Sequence, residues 1–487
     1  MNFSYCSDKY QFTMGKTFRD NGLDGIEAVF NMFYRKAPDG NNWAVVCGVN
    51  EVLEMVQGIG TEPASFFKKF LPEPQYDDFC DYLATVHFTG TIYAMEEGQI
   101  AFPLQPVITV KAPLLEAQIL ETPLLCIMNH QMAIATKASR VARSTDKPVS
   151  EFGSRRAHGP WAAVYGGKAA YIAGCQNTSN ILDTTEFGIP CSGTMGHSYV
   201  TAFGCSVSCE YDAFDAYIKS HRGEGLILLV DTYDTLKSGV KNAIRAFRDN
   251  GIGNDYKPFY GIRLDSGDLA YLSRIAREML DHAGLTGCKI FATNSLDEYL
   301  IAELERQKAA IDSYGVGDAI ATSKHSPCFG NVYKLVQVNH QPVLKCSDDK
   351  IKLINPGFQI TYRIIENQRN QADVTCLRGD ALAQAIEAGE RIVLRDELDE
   401  TRTRPFEAGT YTFEVLQQKV MEHGVRLIPD KPAAEKRAFY FSNLYKLDET
   451  ERRLINPHYH KVDISDGLYD LKMQLLFKIK EELKNVR

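Results

Sequence analysis

The chain has 487 residues, 44% hydrophobic and 24% charged, the balance of a globular protein with room for two or three domains. Its net charge of −8, without a basic tail, argues against a nucleic-acid surface, so any anionic ligand must be held by a local cluster. No stretch reaches the roughly 18 apolar residues of a membrane span, the start "MNFSYCSDKYQFTM" has no leader pattern, and the 12 cysteines include no C-x-x-C pair; the expectation is a cytoplasmic protein with reduced thiols.

In the first lobe, residues 1–147, "EAVFNMFYRK" and "GTIYAMEEGQIAFPLQPVITV" alternate apolar and polar residues like strands, the second turning at "EEGQ". The segment "LLEAQILETPLLCIMNHQMAIATKASRVARS" is helical, and Pro123 should kink it or split it in two. Over residues 148–331 short extended runs ending in polar residues alternate with helices. The runs are "PVSEFGSRR", "CQNTSNIL", "GIPCSGTM", "GLILLVDTYDT", "FYGIRLDSGD", "CKIFATNS" and "AIDSYGVG", about seven strands. Continuous apolar strands separated by helices mean a parallel sheet covered by helices, and that number suggests an α/β barrel, complete or not. From Val332 to residue 487 the pattern changes: "VYKLVQVNHQPVLKCS" reads as a hairpin, polar stretches follow, and "GLYDLKMQLLFKIKEEL" closes the chain as a helix.

Parallel barrels place their chemistry at the C-terminal ends of the strands, where the loops converge on one mouth. Those ends carry Arg155 and Arg156, Thr178 and Ser179, His197, Asp231 and Asp234, Arg263, Asp265 and Asp268, Asn294, and Gly315 and Gly317. Asp234 reads as a helix cap and Asp231 as pointing into the mouth. Asp268 or Ser266 caps the next helix, leaving Asp265 for Mg²⁺ or ribose hydroxyls. Gly315 and Gly317 form either a tight turn or a place where backbone N–H groups approach a phosphate. Arginines, carboxylates and backbone donors together suit a metal-complexed sugar phosphate. In "GTMGHSYV", His197 follows small residues that leave its ring accessible.

The ordered stretches "SDKYQFTM", "FYRKAP", "PLLEAQILETPLL", "IATKASRV", "EFGSRRAHGP", "TSNIL", "GIPCSGTMGHS", "LLVDTYDT", "GIRLDSGDLAYLS", "NSLDEYLI" and "DSYGVG" resemble the nicotinate phosphoribosyltransferase family over nearly the whole chain. The resemblance implies a type II phosphoribosyltransferase fold. That is an irregular, incomplete α/β barrel with an open-faced α/β sandwich domain and a C-terminal lobe, working as a homodimer with shared active sites. It implies nicotinate mononucleotide made from nicotinate and phosphoribosyl pyrophosphate in NAD biosynthesis, with Mg²⁺ and with ATP hydrolysis coupled through a phosphohistidine at His197.

By the same resemblance Phe152 and Tyr10 sandwich the pyridine, Tyr10 coming from the partner subunit. Arg155 contacts the pyridine carboxyl and phosphate region, Asp265 lies near the ribose, Gly315 and Gly317 hold the 5′-phosphate, and Arg263 and Asn294 complete the substrate site. Asp231 is expected to fix one ring nitrogen of His197. Ser179 stands where nicotinamide-using relatives carry an aspartate, which points to the acid rather than the amide. His158 reads as a helix cap, and Asp318 beside the phosphate glycines must turn outward or meet a cation. Two alternatives are a nicotinamide phosphoribosyltransferase and a catalytically silent binding protein on the same scaffold.

Overall fold

The run "LILL" is buried at every position, as an apolar strand must be when helices cover both faces of its sheet. It is one of six strands in a computed structural model that describes residues 2–346, 354–396 and 401–484. The strands are β1 (Val149–Glu151), β2 (Asn177–Thr178), β3 (Leu226–Leu229), β4 (Tyr260–Leu264), β5 (Lys289–Ala292) and β6 (Ser313–Val316). All neighbours pair in parallel, in the order β2-β1-β6-β5-β4-β3. The sheet stays open between β2 and β3, a half-barrel. The seventh strand expected over "GIPCSGTM" contributes one isolated bridge, Thr178 to Cys191. Pro190 has no N–H to give a ladder, and Gly188 is left-handed, so that segment runs beside β2 without extending the sheet.

This sheet and its helices form a compact unit over Ile134–Pro327. Residues 1–133 and 328–487 make up the other unit, built on a seven-stranded sheet and a four-stranded one. In the larger sheet Glu27–Tyr34 pairs antiparallel with both Ile108–Pro113 and Asn331–Val338. The expected hairpin after residue 331 is present: Val338 faces Gln341 across Asn339 and His340, both left-handed. Its last residue, Ser347, lies outside the described residues. Near "EEGQ", Thr91–Ala94 pairs with Ile108–Pro113, while Ile100–Ala101 leaves to join Ala44–Val45. Pro123 does accompany a split: one helix covers Leu114–Ile119 and the next begins at Glu121, so the proline sits in a first turn, where no intrahelical N–H is needed. The closing helix spans Asp466–Lys484. Among the described residues no helix is long and apolar enough to cross a membrane.

Candidate active site

The C-terminal ends of five of the six strands, all but β3, open onto a cleft of about 740 Å³. Eight of the eleven site residues expected from the sequence line it: Phe152, Arg155, Ser179, Arg263, Asp265, Asn294, Gly315 and Gly317. Phe152 leaves β1 with its N–H donating to Val316 O at 2.8 Å, and its ring lies over Gly315. A Cβ at Gly315 would stand 2.6 Å from that ring and 2.8 Å from Thr293 Cγ2, so only glycine seats it. Ser179, exposed at the end of β2, is fixed through its N–H to Glu151 O at 3.0 Å. Asn294 and Ser295 are both left-handed, φ 82° and 52°, an unfavourable pair of conformations of the kind that functional loops retain.

His197 begins the helix His197–Ala202, with its side chain 44% exposed. Its Nδ1 is 3.2 Å from Thr232 Oγ1, and its Nε2 lies 3.7 Å from Asp265 Oδ2 and 3.9 Å from Asp231 Oδ1. The expectation that Asp231 fixes the ring by a hydrogen bond is thereby corrected. Thr232 makes the close contact, because Asp231 is turned to other donors: its Oδ2 accepts from the Asp265 N–H at 3.1 Å and the Ser266 hydroxyl at 2.5 Å. Asp231 Oδ1 is buried without a partner and faces the imidazole.

Arg263 projects from β4 and donates to Thr194 Oγ1 at 2.6 Å, while its Nε is buried and unpartnered. Burial pushes this guanidinium below its ordinary range; Asp265 and Asp231 work against that, and Arg155 adds to it. The Ser154 hydroxyl, also in the cleft wall, is likewise buried without a partner. Three unsatisfied polar atoms around one cleft are what a polar ligand would complete. Asp265 Oδ1 accepts from the Thr293 hydroxyl, which leaves Oδ2 toward His197.

Asp234 and Asp268 are caps, accepting from Leu236 and Lys237 N–H and from Tyr271 N–H respectively. Ser266 is not a cap but a donor to Asp231. His158 is not a cap either: Gly159 holds that place with no side-chain bond. Tyr10 belongs to the other unit, on the first turn of Lys9–Asp20, and is 47% exposed. Sequence reasoning passed over Thr232 and Thr293, each next to an expected site residue, and valued Thr194 only for its small size; a hydroxyl beside a polar strand-end residue was the available signal.

Fold and cleft define a class, the parallel α/β half-barrels whose strand-end mouth gathers arginines, carboxylates and an exposed imidazole. Sequence models of the nicotinate phosphoribosyltransferase N-terminal and C-terminal domains match residues 6–129 and 358–472. Nicotinate phosphoribosyltransferase of Bacillus subtilis (strain 168) is 36% identical, over 99% of this chain and 97% of its own. That of Dictyostelium discoideum is 32% identical, over 95% and 86%. The crystal structure of human nicotinic acid phosphoribosyltransferase superimposes with a TM-score of 0.82 at 25% identity, covering 96% of this chain and 99% of that one. The chain belongs to the nicotinate phosphoribosyltransferase family.

Proposed function

We infer that this chain joins nicotinate to phosphoribosyl pyrophosphate to give nicotinate mononucleotide, in the cytoplasm and as a homodimer, with ATP hydrolysed through a phosphohistidine at His197. The observation that carries the reading, in a chain of this family, is the half-exposed imidazole held between the Thr232 hydroxyl and the carboxylates of Asp231 and Asp265, beside a cleft lined by Arg155 and Arg263.

In the first step a nitrogen of His197 takes the terminal phosphoryl group of ATP; an N–P bond forms, the P–O bond to ADP breaks, and the ring proton passes to a neighbouring carboxylate or to water. The transferred negative charge then sits beside Arg263, whose unpartnered Nε is available to it. Phosphoribosyl pyrophosphate binds with its 5′-phosphate toward Gly315 and Gly317 and its ribose toward Asp265 and Asn294. Nicotinate stacks on Phe152, covered by the partner subunit's Tyr10, with its carboxylate toward Arg155 and Ser179. The pyridine nitrogen displaces pyrophosphate from the anomeric carbon through an oxocarbenium-like transition state; the C–N bond forms as the C–O bond breaks, and the arginines offset the charge that builds on the leaving group. Hydrolysis of the phosphohistidine returns the free imidazole.

Asp265 Oδ2, which no hydrogen-bond donor occupies, is the carboxylate oxygen that would hold a Mg²⁺ ion here. When bound, such an ion would supply neutralising charge to the pyrophosphate. Among the described residues no group of three or more metal-ligating side chains is assembled.

The test is incubation with ATP labelled on its terminal phosphate. Acid-labile label should appear on the protein and be discharged by nicotinate with phosphoribosyl pyrophosphate, with nicotinamide a poor replacement. His197→Ala should take up no label; ATP hydrolysis still coupled to nucleotide formation in that variant would refute the reading.

A further inference from the structure

Behind the Phe152 and Ser179 strand ends lies a buried acid pair that the reaction above does not use. Glu151 closes β1 and is 3% exposed; Asp183, in the helix Ile181–Phe187, is 0% exposed. Between them stands Thr178, whose Oγ1 is 3.1 Å from Glu151 Oε2 and 2.8 Å from Asp183 Oδ2 and accepts the Asn180 N–H at 3.1 Å. A threonine hydroxyl has one proton to give and two lone pairs. It can donate to only one of the two acids, so the other must bring a proton of its own.

The surroundings decide which acid that is. Both Glu151 oxygens receive donors, Oε1 from the Gly153 N–H and Oε2 from Thr178, as an ionised carboxylate requires. Asp183 has only the Thr178 contact; its Oδ1 is buried and unpartnered, tolerable for a neutral carbonyl oxygen and costly for an anionic one. Gly167 backs directly onto this carboxyl: a Cβ there would collide with Asp183 Oδ2, so backbone closes that side of the group. The charge that acts on it is that of Glu151, which adds to the effect of burial. The Lys168 ammonium lies 5.6 Å from the Phe187 ring centre, Arg155, Arg156 and Glu186 are exposed, and Asp318 opens its own short helix.

We propose that Asp183 is a protonated acid at neutral pH, donating to Thr178, which donates to Glu151, and that this chain positions Phe152 and Ser179 for the base. Glu151 holds the Gly153 N–H on one side and, through its own carbonyl, the Ser179 N–H on the other, so the chain links the two strand ends. Asp183, Thr178 and Glu151 are positioning residues. The proposal rests on the pyridine site described under the proposed function. Its chemical logic is that a neutral Asp183 keeps a second negative charge away from a site for an anionic base. Burial pushes both acids up to about 7, so as pH rises above neutral the pair gives up the proton it holds, Thr178 faces two anions, and nicotinate is repelled.

The experiment measures KM for nicotinate and for phosphoribosyl pyrophosphate, with kcat, between pH 6 and 9, together with pH-difference infrared spectra of the protein without substrates. In the unsubstituted protein KM for nicotinate should rise about fivefold or more from pH 7 to 9 while KM for phosphoribosyl pyrophosphate changes less than about twofold. Asp183→Asn, whose amide donates but cannot ionise, should flatten that rise and remove a protonated-carboxyl infrared band present at neutral pH. Glu151→Gln places a donor where an acceptor is needed and should raise KM for nicotinate at every pH, and Thr178→Val should do the same while Thr178→Ser restores it. A pH profile that Asp183→Asn leaves unaltered, or a neutral-pH spectrum without the band, would overturn the proposal. A protein that shows the band but turns over no nicotinate would overturn the functional reading and leave the proton assignment standing.

Discussion

At the scale of single residues the cleft is shaped by what a side chain excludes as much as by what it binds. Gly315 stands inside β6, paired with Ser150, and its missing Cβ is the space that the Phe152 ring occupies. Gly315→Ala should force the ring off its seat. Overpacking of this kind costs about 1–3 kcal/mol, and KM for nicotinate should climb about tenfold if the stacking face is lost, with kcat less affected; steady-state kinetics on the purified variant check this. The sequence marked Gly315 for a phosphate or a turn, since a glycine's spacing does not disclose which neighbour presses on it. It marked His197 by its small neighbours but could not reveal Thr232 at Nδ1, because that contact depends on how the ends of two elements meet.

At the scale of elements, each helix after a strand needs an acceptor for its first N–H groups, and the same acid types serve caps and chemistry. "DTYDT" contains one of each. Asp234 accepts from Leu236 and Lys237 N–H, whereas Asp231 bonds the next strand-end loop and turns a bare oxygen to His197. Asp234→Ala should lower stability by about 1 kcal/mol with phosphorylation of His197 retained. Asp231→Asn should do the reverse, holding stability and slowing label uptake from ATP at least tenfold. Urea titration and the labelling assay separate the two. This sorting was legible in the sequence, because the first polar residue after an apolar strand and the residue three places on have different backbone surroundings. So was the alternation of strand and helix. What was not legible was the fate of "GIPCSGTM": its length and spacing match its neighbours, but its proline and glycines deny it a ladder, and the barrel therefore stays open. Nor did the sequence offer Glu151 or Asp183, which in one dimension look like any surface acid.

At the scale of the molecule, the unit formed by residues 1–133 and 328–487 must gather chain segments that are far apart in sequence, and buried charge helps specify how they meet. Arg363 and Asp373, both 0% exposed, pair at 2.7 and 2.8 Å, and Gln105 donates to the same Asp373 at 2.7 Å. His460 stacks on Phe102, with Nδ1 2.8 Å from Glu451 and Nε2 3.4 Å from Asp373. Removing one partner strands the other, so Asp373→Asn should cost about 3–5 kcal/mol. The pH dependence follows from the shifts. Burial pushes the His460 imidazole down, yet Asp373 and Glu451 outweigh it and hold it above its ordinary value. A group whose pKa is raised on folding gives stability that is complete below the unfolded pKa, near 6.5 for histidine, and lost as pH rises through the folded value. Burial raises Asp463 to about 6, with Asp396 adding to it, which has the same sign over a window from about 4 to 6. Asp373 runs the other way: burial raises it, Arg363 and His460 bring it well below the carboxylate range, and its contribution is lost only in strong acid. Between pH 6 and 9 the unit should therefore lose stability, and His460→Gln should flatten most of that slope. Trp43 is fully buried and donates to Glu451 O at 3.0 Å, so its fluorescence during urea unfolding, in a Trp161→Phe background, reports on this cluster; a midpoint that stays constant from pH 6 to 9 would show that His460 is neutral in the folded protein.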